Sequence, residues 1–348
     1  MRSVRECAPK ETHDSVSHGP RDHIGLSKTG AALWYVAPGR AEIREETLGP
    51  LTAGSVRVRA LHGAISRGTE ALVAAGKVPF SEFQRMRAPF MAGDFPFPVK
   101  YGYATVGTVE QGPAELQGRT VFSLHPHQTL FDIPAGAAVP IPVDVPASRA
   151  ILAANMETAL NAVWDADDGP FGRVAIVGAG VVGALTGYLC RELVQADVTL
   201  VDINPARTAV ASALGLRFAT PEQAPAECGL VFHASASAAG LATALDLAGD
   251  EATVIEMSWY GDTPVPVPLG GAFHSRRLKL VASQVGRVAP SHRRDWTHRR
   301  RLEKALSLLA DGRLDALIEL PVAFADLPTV LPRFLAPASG ILCQRIDY

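Results

Sequence analysis

Along the first half of the chain the apolar positions alternate with polar ones in short runs. "SVRVRALHGAI" (55–65) and "YATVGTVEQG" (103–112) show this most plainly, with glycine and proline between such runs. Period-two alternation predicts strands with one buried face, so residues 29–153 read as a β-rich module. From "PASRAILAANMETALNAVWDA" onward the pattern changes to apolar strand, amphipathic helix, apolar strand: "RVAIVGAG", "VGALTGYLCREL", "VTLVDI", "PARTAVASALG", "GLVFHAS", "AAGLATALDLA" and "ATVIEMSWYG". Strands alternating with helices predict parallel βαβ units and a doubly wound sheet over 154–300. After the helical "RRRLEKALSLLADGRLDALI", residues 301–348 return to short strands and are expected to rejoin the first module. The expected fold class is therefore α/β, a Rossmann doubly wound parallel sheet plus a discontinuous β-rich domain.

Composition narrows the partners. With 33 basic and 35 acidic residues in 348, the formal charge is -2. No field of one sign draws the chain to nucleic acid or anionic lipid, and no apolar run has the length of a membrane span. A small-molecule partner and a cytoplasmic setting are expected. Cys7, Cys190, Cys228 and Cys343 stand far apart, without the spacing of a metal site, and read as reduced thiols. Residues 1–28 mix histidines, arginines, prolines and acids, have no secretory h-region, and are expected to form a disordered tail.

The clearest chemical motif is Gly178-Ala179-Gly180-Val181-Val182-Gly183, set between an apolar strand and a helix. In that context Gly178 serves the tight turn, Gly180 lets a pyrophosphate approach the backbone, and Gly183 permits close helix–strand packing. The N–H groups around Val181 and Val182, at the helix N-terminus, then face the phosphates. Asp202 ends the next strand at the offset where such folds place a ribose-binding acid. A carboxylate there favours NAD and repels a 2′-phosphate, while Arg207 could accept one, leaving NADP as the alternative.

Several short segments carry a resemblance to a known family. "GAISRGTE" resembles the segment often written GICGTD, "YGYATVGTV" resembles GHExxGxV, and "LQGRTVFSL" resembles a GDRV turn and strand. In this order, around a glycine motif, they resemble the medium-chain dehydrogenase/reductase superfamily, from about residue 30 to the end. The resemblance implies a GroES-like module joined to a Rossmann domain, hydride transfer with NAD or NADP, and a homodimer paired through Rossmann sheet edges such as "TVIEMSW" and "KLVASQV". At the positions of the family's zinc ligands the chain carries Arg67, Tyr103 with Ala104, and about Ala154, so no zinc is expected.

Without a metal, another group must manage the proton that accompanies hydride transfer. Tyr103 is the first candidate by the same resemblance, or else a packed aromatic; Lys100 and Arg67, if close, would lower its pKa. Thr158 takes the place of a residue against the nicotinamide, with Asn155 and Glu157 on the same turn able to touch substrate or merely to cap a helix. His125 and His127 in "SLHPHQTL" share one face if that segment is a strand, suited to proton relay, substrate contact or, less readily, metal. Trp259 and Tyr260 could wall an apolar substrate or pack between domains. His274, Arg276 and Arg277 could hold an acidic group, whereas "HRRDWTHRRR" (292–301) reads as a solvated helix face.

The non-zinc second motif and "SRGTE" are most similar to the branch that includes the 3-hydroxyethyl bacteriochlorophyllide a dehydrogenase, which implies a secondary alcohol on a bulky cyclic substrate. Two other readings stay open: a quinone or enoyl reductase, and a catalytically inactive NAD(H)-binding sensor or scaffold.

Overall fold

The computed structural model describes residues 28–166, 169, 171–337 and 339–348. The expected tail thus lies almost wholly outside the described residues, and Lys28 already begins a strand.

The strands Lys28–Ala37 and Arg40–Leu48 form an antiparallel hairpin whose turn uses Gly39 at a positive φ of 67°. With Val99–Lys100 and Ala92–Gly93 they make a four-stranded sheet. A second, seven-stranded sheet runs in the order 318–323, 343–347, 55–65, 105–111, 120–123, 139–140, with 130–134 also paired to 55–65. The C-terminal strand Cys343–Asp347 lies antiparallel to 55–65, Gln344 opposite Ile65 and Asp347 opposite His62. The last residues of the chain therefore complete a sheet begun by its first sixty.

Six parallel strands, Arg173–Val177, Asp197–Val201, Arg217–Ala219, Cys228–His233, Ala248–Glu256 and Lys279–Ala282, form the other domain. Their spatial order is third, second, first, fourth, fifth, sixth. The strand order reverses between the first and fourth strands, and at their C-terminal ends such sheets open a crevice. The central strands are apolar on both faces because helices cover both. Val174, Ile176, Leu200, Leu230 and Phe232 pack with the helices Ala153–Asp165, Val181–Val194 and Arg207–Ala213. Ala175, Val177, Val231 and Val254 pack with Ala238–Leu247 on the opposite face. Each buried Phe or Leu there contributes about 1.5–3 kcal/mol of transfer energy. The fold class is the one read from the sequence.

Two details differ from the sequence reading. The 300/301 boundary falls inside one helix, His298–Ser307, capped by the Thr297 hydroxyl. Arg301, placed by its neighbours on a solvated face, is 1% exposed. Its guanidinium donates to Glu157 Oε1 (3.0 Å) and bonds Asn161 Oδ1 and the carbonyls of Val285 and Arg287, which repay its desolvation. Among the described residues no helix is long and apolar enough to cross a membrane.

Candidate active site

The glycine turn shows why each of its glycines is needed. Gly178 has φ of 105°, and a Cβ there would approach Ser235 N to 2.7 Å. A Cβ on Gly183 would stand 1.9 Å from the Gly178 carbonyl oxygen. Gly180 precedes the helix Val181–Val194, has no side-chain cap, and faces open space. The first-turn N–H groups at Val181 and Val182 thus border room for an anion. Asp202 lies beside the turn: its Oδ2 accepts from Ala179 N (2.7 Å) and its Oδ1 from Asn204 N (2.8 Å). Arg207 begins the next helix and donates to the Gly340 carbonyl at 2.8 Å. These residues stand at the C-terminal ends of the first two strands of the parallel sheet, beside the strand-order reversal where such folds bind dinucleotides.

Beside the glycine turn, on the adjacent strands, stands a polar cluster that the sequence reading missed. His233 and Glu256 are register partners at the ends of adjacent central strands. His233 Nδ1 is 2.7 Å from Glu256 Oε2, and its Nε2 is 2.7 Å from Ser235 Oγ. The Tyr260 hydroxyl donates to Glu256 at 3.0 Å, and Ser258 N donates to its other oxygen at 2.7 Å. Burial alone would raise the Glu256 pKa, but the imidazole and the Ser258 bonds bring it below the usual carboxylate value. The spacing resembles a serine–histidine–acid triad. Ser235 is exposed, and its Oγ is shared with Ser237 Oγ at 3.0 Å. The cluster holds the imidazole and the Tyr260 hydroxyl around Glu256. A histidine and an acid ending neighbouring apolar strands at the crevice were its available signal.

The β-rich domain supplies the facing wall. The half-buried Tyr103 donates its hydroxyl to Ser66 Oγ at 2.6 Å, and burial pushes its pKa up to about 12 despite hydrogen bonds to Ser66 and Thr69. Lys100 and Arg67 do not lower it. Lys100 is committed to Glu46 (2.7 Å) and Gln128 (2.8 Å), and Arg67 bonds Ser339 Oγ. Burial, then the charge of Arg207, lowers the Arg67 pKa. Behind Ser66 lies the wholly buried Glu70, which accepts from Ser66 N (2.7 Å) and from the Tyr35 hydroxyl (2.8 Å) and sits 2.9 Å from His127 Nε2. Its desolvation is the largest influence and acts upward, but the imidazole and these donors together hold the carboxyl below its ordinary value.

Thr158 and Asn155 are the two positions not fully buried between 150 and 162, on one side of their helix. Thr158 Oγ1 donates to the Ala154 carbonyl at 3.0 Å. Glu157 points away, to Arg301, and burial raises its pKa. His125 and His127 do not share a strand face. The strand ends at Ser123, and Pro126, which lacks an N–H, separates the two rings. His125 Nδ1 bonds the Pro126 carbonyl, its ring stacks on Phe131 at 3.7 Å, and burial pulls its pKa down to about 3. It is a neutral packed ring in this arrangement. Trp259 packs against the β-rich domain's core. Arg276 and Arg277 pair with Glu227 (3.1 Å) and Glu251 (3.3 Å) near the start of the strand Ala248–Glu256, the end opposite the crevice.

Zinc does not fit the donor set at the facing wall. Two hydroxyls bonded to each other and a guanidinium offer neither thiolate nor imidazole, and among the described residues no group of three or more His, Cys, Asp and Glu side chains is placed to hold a metal ion.

No family model and no curated protein sequence matches the chain. Solved structures do. L-idonate 5-dehydrogenase from Escherichia coli superposes with a TM-score of 0.76 at 16% identity, over 93% of this chain and 99% of that one. A putative zinc-binding dehydrogenase from Sinorhizobium meliloti, bound to NADP, gives 0.71 at 17% identity over 92% and 100%. A thermostable alcohol dehydrogenase from Pyrobaculum aerophilum gives 0.73 at 17% identity over 92% and 100%. The chain has the fold of these dehydrogenases along nearly its whole described length.

Proposed function

We propose that this protein is a zinc-independent, NAD(P)-dependent oxidoreductase of the medium-chain type that moves a hydride between the nicotinamide and a secondary alcohol/ketone pair. The observation that carries the reading is the glycine turn at the strand-order reversal, where two glycines exclude any side chain and the third leaves the helix N-terminus open. When bound, the nicotinamide supplies the hydride donor or acceptor. Gly178, Gly180, Val181, Val182 and Gly183 would hold its pyrophosphate, and Asp202 the neighbouring ribose.

The chain's own contribution is positional and protic. By the resemblance, Tyr103 with Ser66, and Thr158, would stand where an alcohol oxygen sits; the Tyr103 hydroxyl bonds Ser66 Oγ, and Thr158 Oγ1 bonds the Ala154 carbonyl. A phenol whose pKa is about 12 stays protonated at neutral pH, so Tyr103 is suited to donate a hydrogen bond, and finally a proton, to a developing alkoxide. Ser66 keeps that hydroxyl oriented, and Glu70 fixes the Ser66 backbone. The resemblance to the bacteriochlorophyllide dehydrogenase branch supports a bulky or cyclic substrate.

A homodimer belongs to the same proposal. Lys279–Ala282 is the outermost strand of the six, and all four residues are exposed, Leu280 and Val281 among them. An apolar edge of that kind can be covered by a second copy.

The test is a screen of purified, metal-analysed protein with NAD and NADP against bulky secondary alcohols, enones and quinones. Alcohol oxidation without bound zinc supports the proposal. Enone or quinone reduction alone would replace it by a reductase of conjugated bonds, cofactor binding with no turnover by an inactive binder, and stoichiometric zinc would overturn the metal-free mechanism.

A further inference from the structure

Ser235, His233 and Glu256 meet in an order that hydride transfer does not require. Glu256 is fixed by three donors: Ser258 N to Oε1 at 2.7 Å, the Tyr260 hydroxyl to Oε2 at 3.0 Å, and His233 Nδ1, 2.7 Å from Oε2. Burial acts upward on its pKa, but the imidazole and Ser258 outweigh it, so the carboxyl is ionised at neutral pH. An ionised carboxylate can only accept, which places the imidazole proton on Nδ1 and leaves Nε2 as an acceptor. The hydroxyls of Tyr260 and Ser258 stand farther from Nδ1, at 3.3 and 3.4 Å, and do not displace the carboxylate. Nε2 is then free to take a hydrogen bond from the Ser235 hydroxyl, 2.7 Å away.

Two further observations set this serine apart from an ordinary surface hydroxyl. Ser235 is exposed while His233 is wholly buried, so the base is rigidly held and the hydroxyl it polarises faces outward. A Cβ on Gly240 would stand 2.0 Å from Ser235 Oγ and 2.8 Å from His233 Nε2, so the glycine leaves the space that their bond occupies. The same contact puts Ser235 Oγ against the first turn of the helix Ala238–Leu247. Ser237 Oγ caps Gly240 N at 3.0 Å, whereas the N–H groups of Ala238 and Ala239 are those that a first turn leaves without an intrahelical partner.

We infer that Ser235, His233 and Glu256 act as nucleophile, base and orienting acid, and that the protein hydrolyses carboxylic esters at Ser235 as an activity separate from hydride transfer. Ser235 Oγ forms a bond to the ester carbonyl carbon as its proton passes to His233 Nε2. The oxyanion so formed is stabilised by the helix N-terminus. The bond from carbon to the leaving oxygen breaks, and His233 returns the proton to that oxygen. Water then attacks the acyl carbon while giving a proton to Nε2, and the acid is released as Ser235 Oγ recovers the proton. No dinucleotide takes part, so this activity and hydride transfer stand or fall separately.

Hydrolysis of p-nitrophenyl acetate by the full chain, together with diisopropyl fluorophosphate labelling mapped by peptide mass spectrometry, tests this. The parent is expected to carry the label on Ser235 and to turn the ester over repeatedly. Ser235→Ala, a change at an exposed position, is expected to lose the label and to lower turnover about a hundredfold or more. Gly240→Ala keeps all three side chains but fills the space of the Ser235–His233 bond, and is expected to slow labelling and turnover about tenfold or more. Urea unfolding of each variant separates these losses from loss of fold. Label on another residue, no label at all, or equal turnover by the parent and a folded Ser235→Ala would overturn the assignment.

Discussion

The Tyr103 hydroxyl donates to Ser66 Oγ at 2.6 Å, joining two residues of the β-rich domain 37 positions apart. If that phenol supplies the proton, Tyr103→Phe should lower kcat by about a hundredfold or more and leave dinucleotide affinity near that of the parent. Steady-state turnover beside a cofactor titration checks this. An unchanged kcat would make Tyr103 a packing residue.

Gly183→Ala should abolish dinucleotide binding and cost about 1–3 kcal/mol of stability. The added methyl meets the Gly178 carbonyl oxygen at 1.9 Å, and relief requires moving the turn itself. Denaturant unfolding together with NADP titration separates the two effects; normal binding by a folded variant would contradict the assigned role of the turn.

Arg301→Met should destabilise by about 3–5 kcal/mol, because it leaves Glu157, whose side chain is 5% exposed, without its cation. The double variant Arg301→Met, Glu157→Met should recover much of that loss. A double-mutant cycle in urea reads the coupling directly, and simple additivity would dismiss it.

His125 gives the protein an acid sensitivity of defined sign. Its folded pKa of about 3 lies below the ordinary histidine value, so between about pH 6.5 and pH 3 the unfolded chain binds a proton that the native ring refuses. Stability from this group is full above about pH 6.5 and falls by up to about 1.4 kcal/mol per pH unit as the solution is acidified. In His125→Phe that slope should diminish, measured by urea unfolding at a series of pH values. An identical slope in the variant would rule His125 out as its source.

How much of this was legible beforehand divides along sequence distance. The glycine turn, Asp202 and Arg207 lie within thirty residues of one another, and each was readable, because strand, turn and helix are set by local periodicity and by glycine's freedom at positive φ. His125 and His127 were misread at the same short range: the strand ended at Ser123, before either ring. Arg301 was misread because charge alone does not reveal which face of a helix packs inward.

The chain's own order of apolar and polar residues determined the two-domain α/β architecture and the place of the glycine turn, since those follow from backbone geometry and the burial of alternating faces. Only the tertiary structure decided that His233 would meet Glu256 across two strands, that Glu70 would pair with His127, and that Arg67 would reach the loop already held by Arg207. The physical reason is that such contacts arise from sheet register and domain docking, which bring together side chains that no local pattern relates.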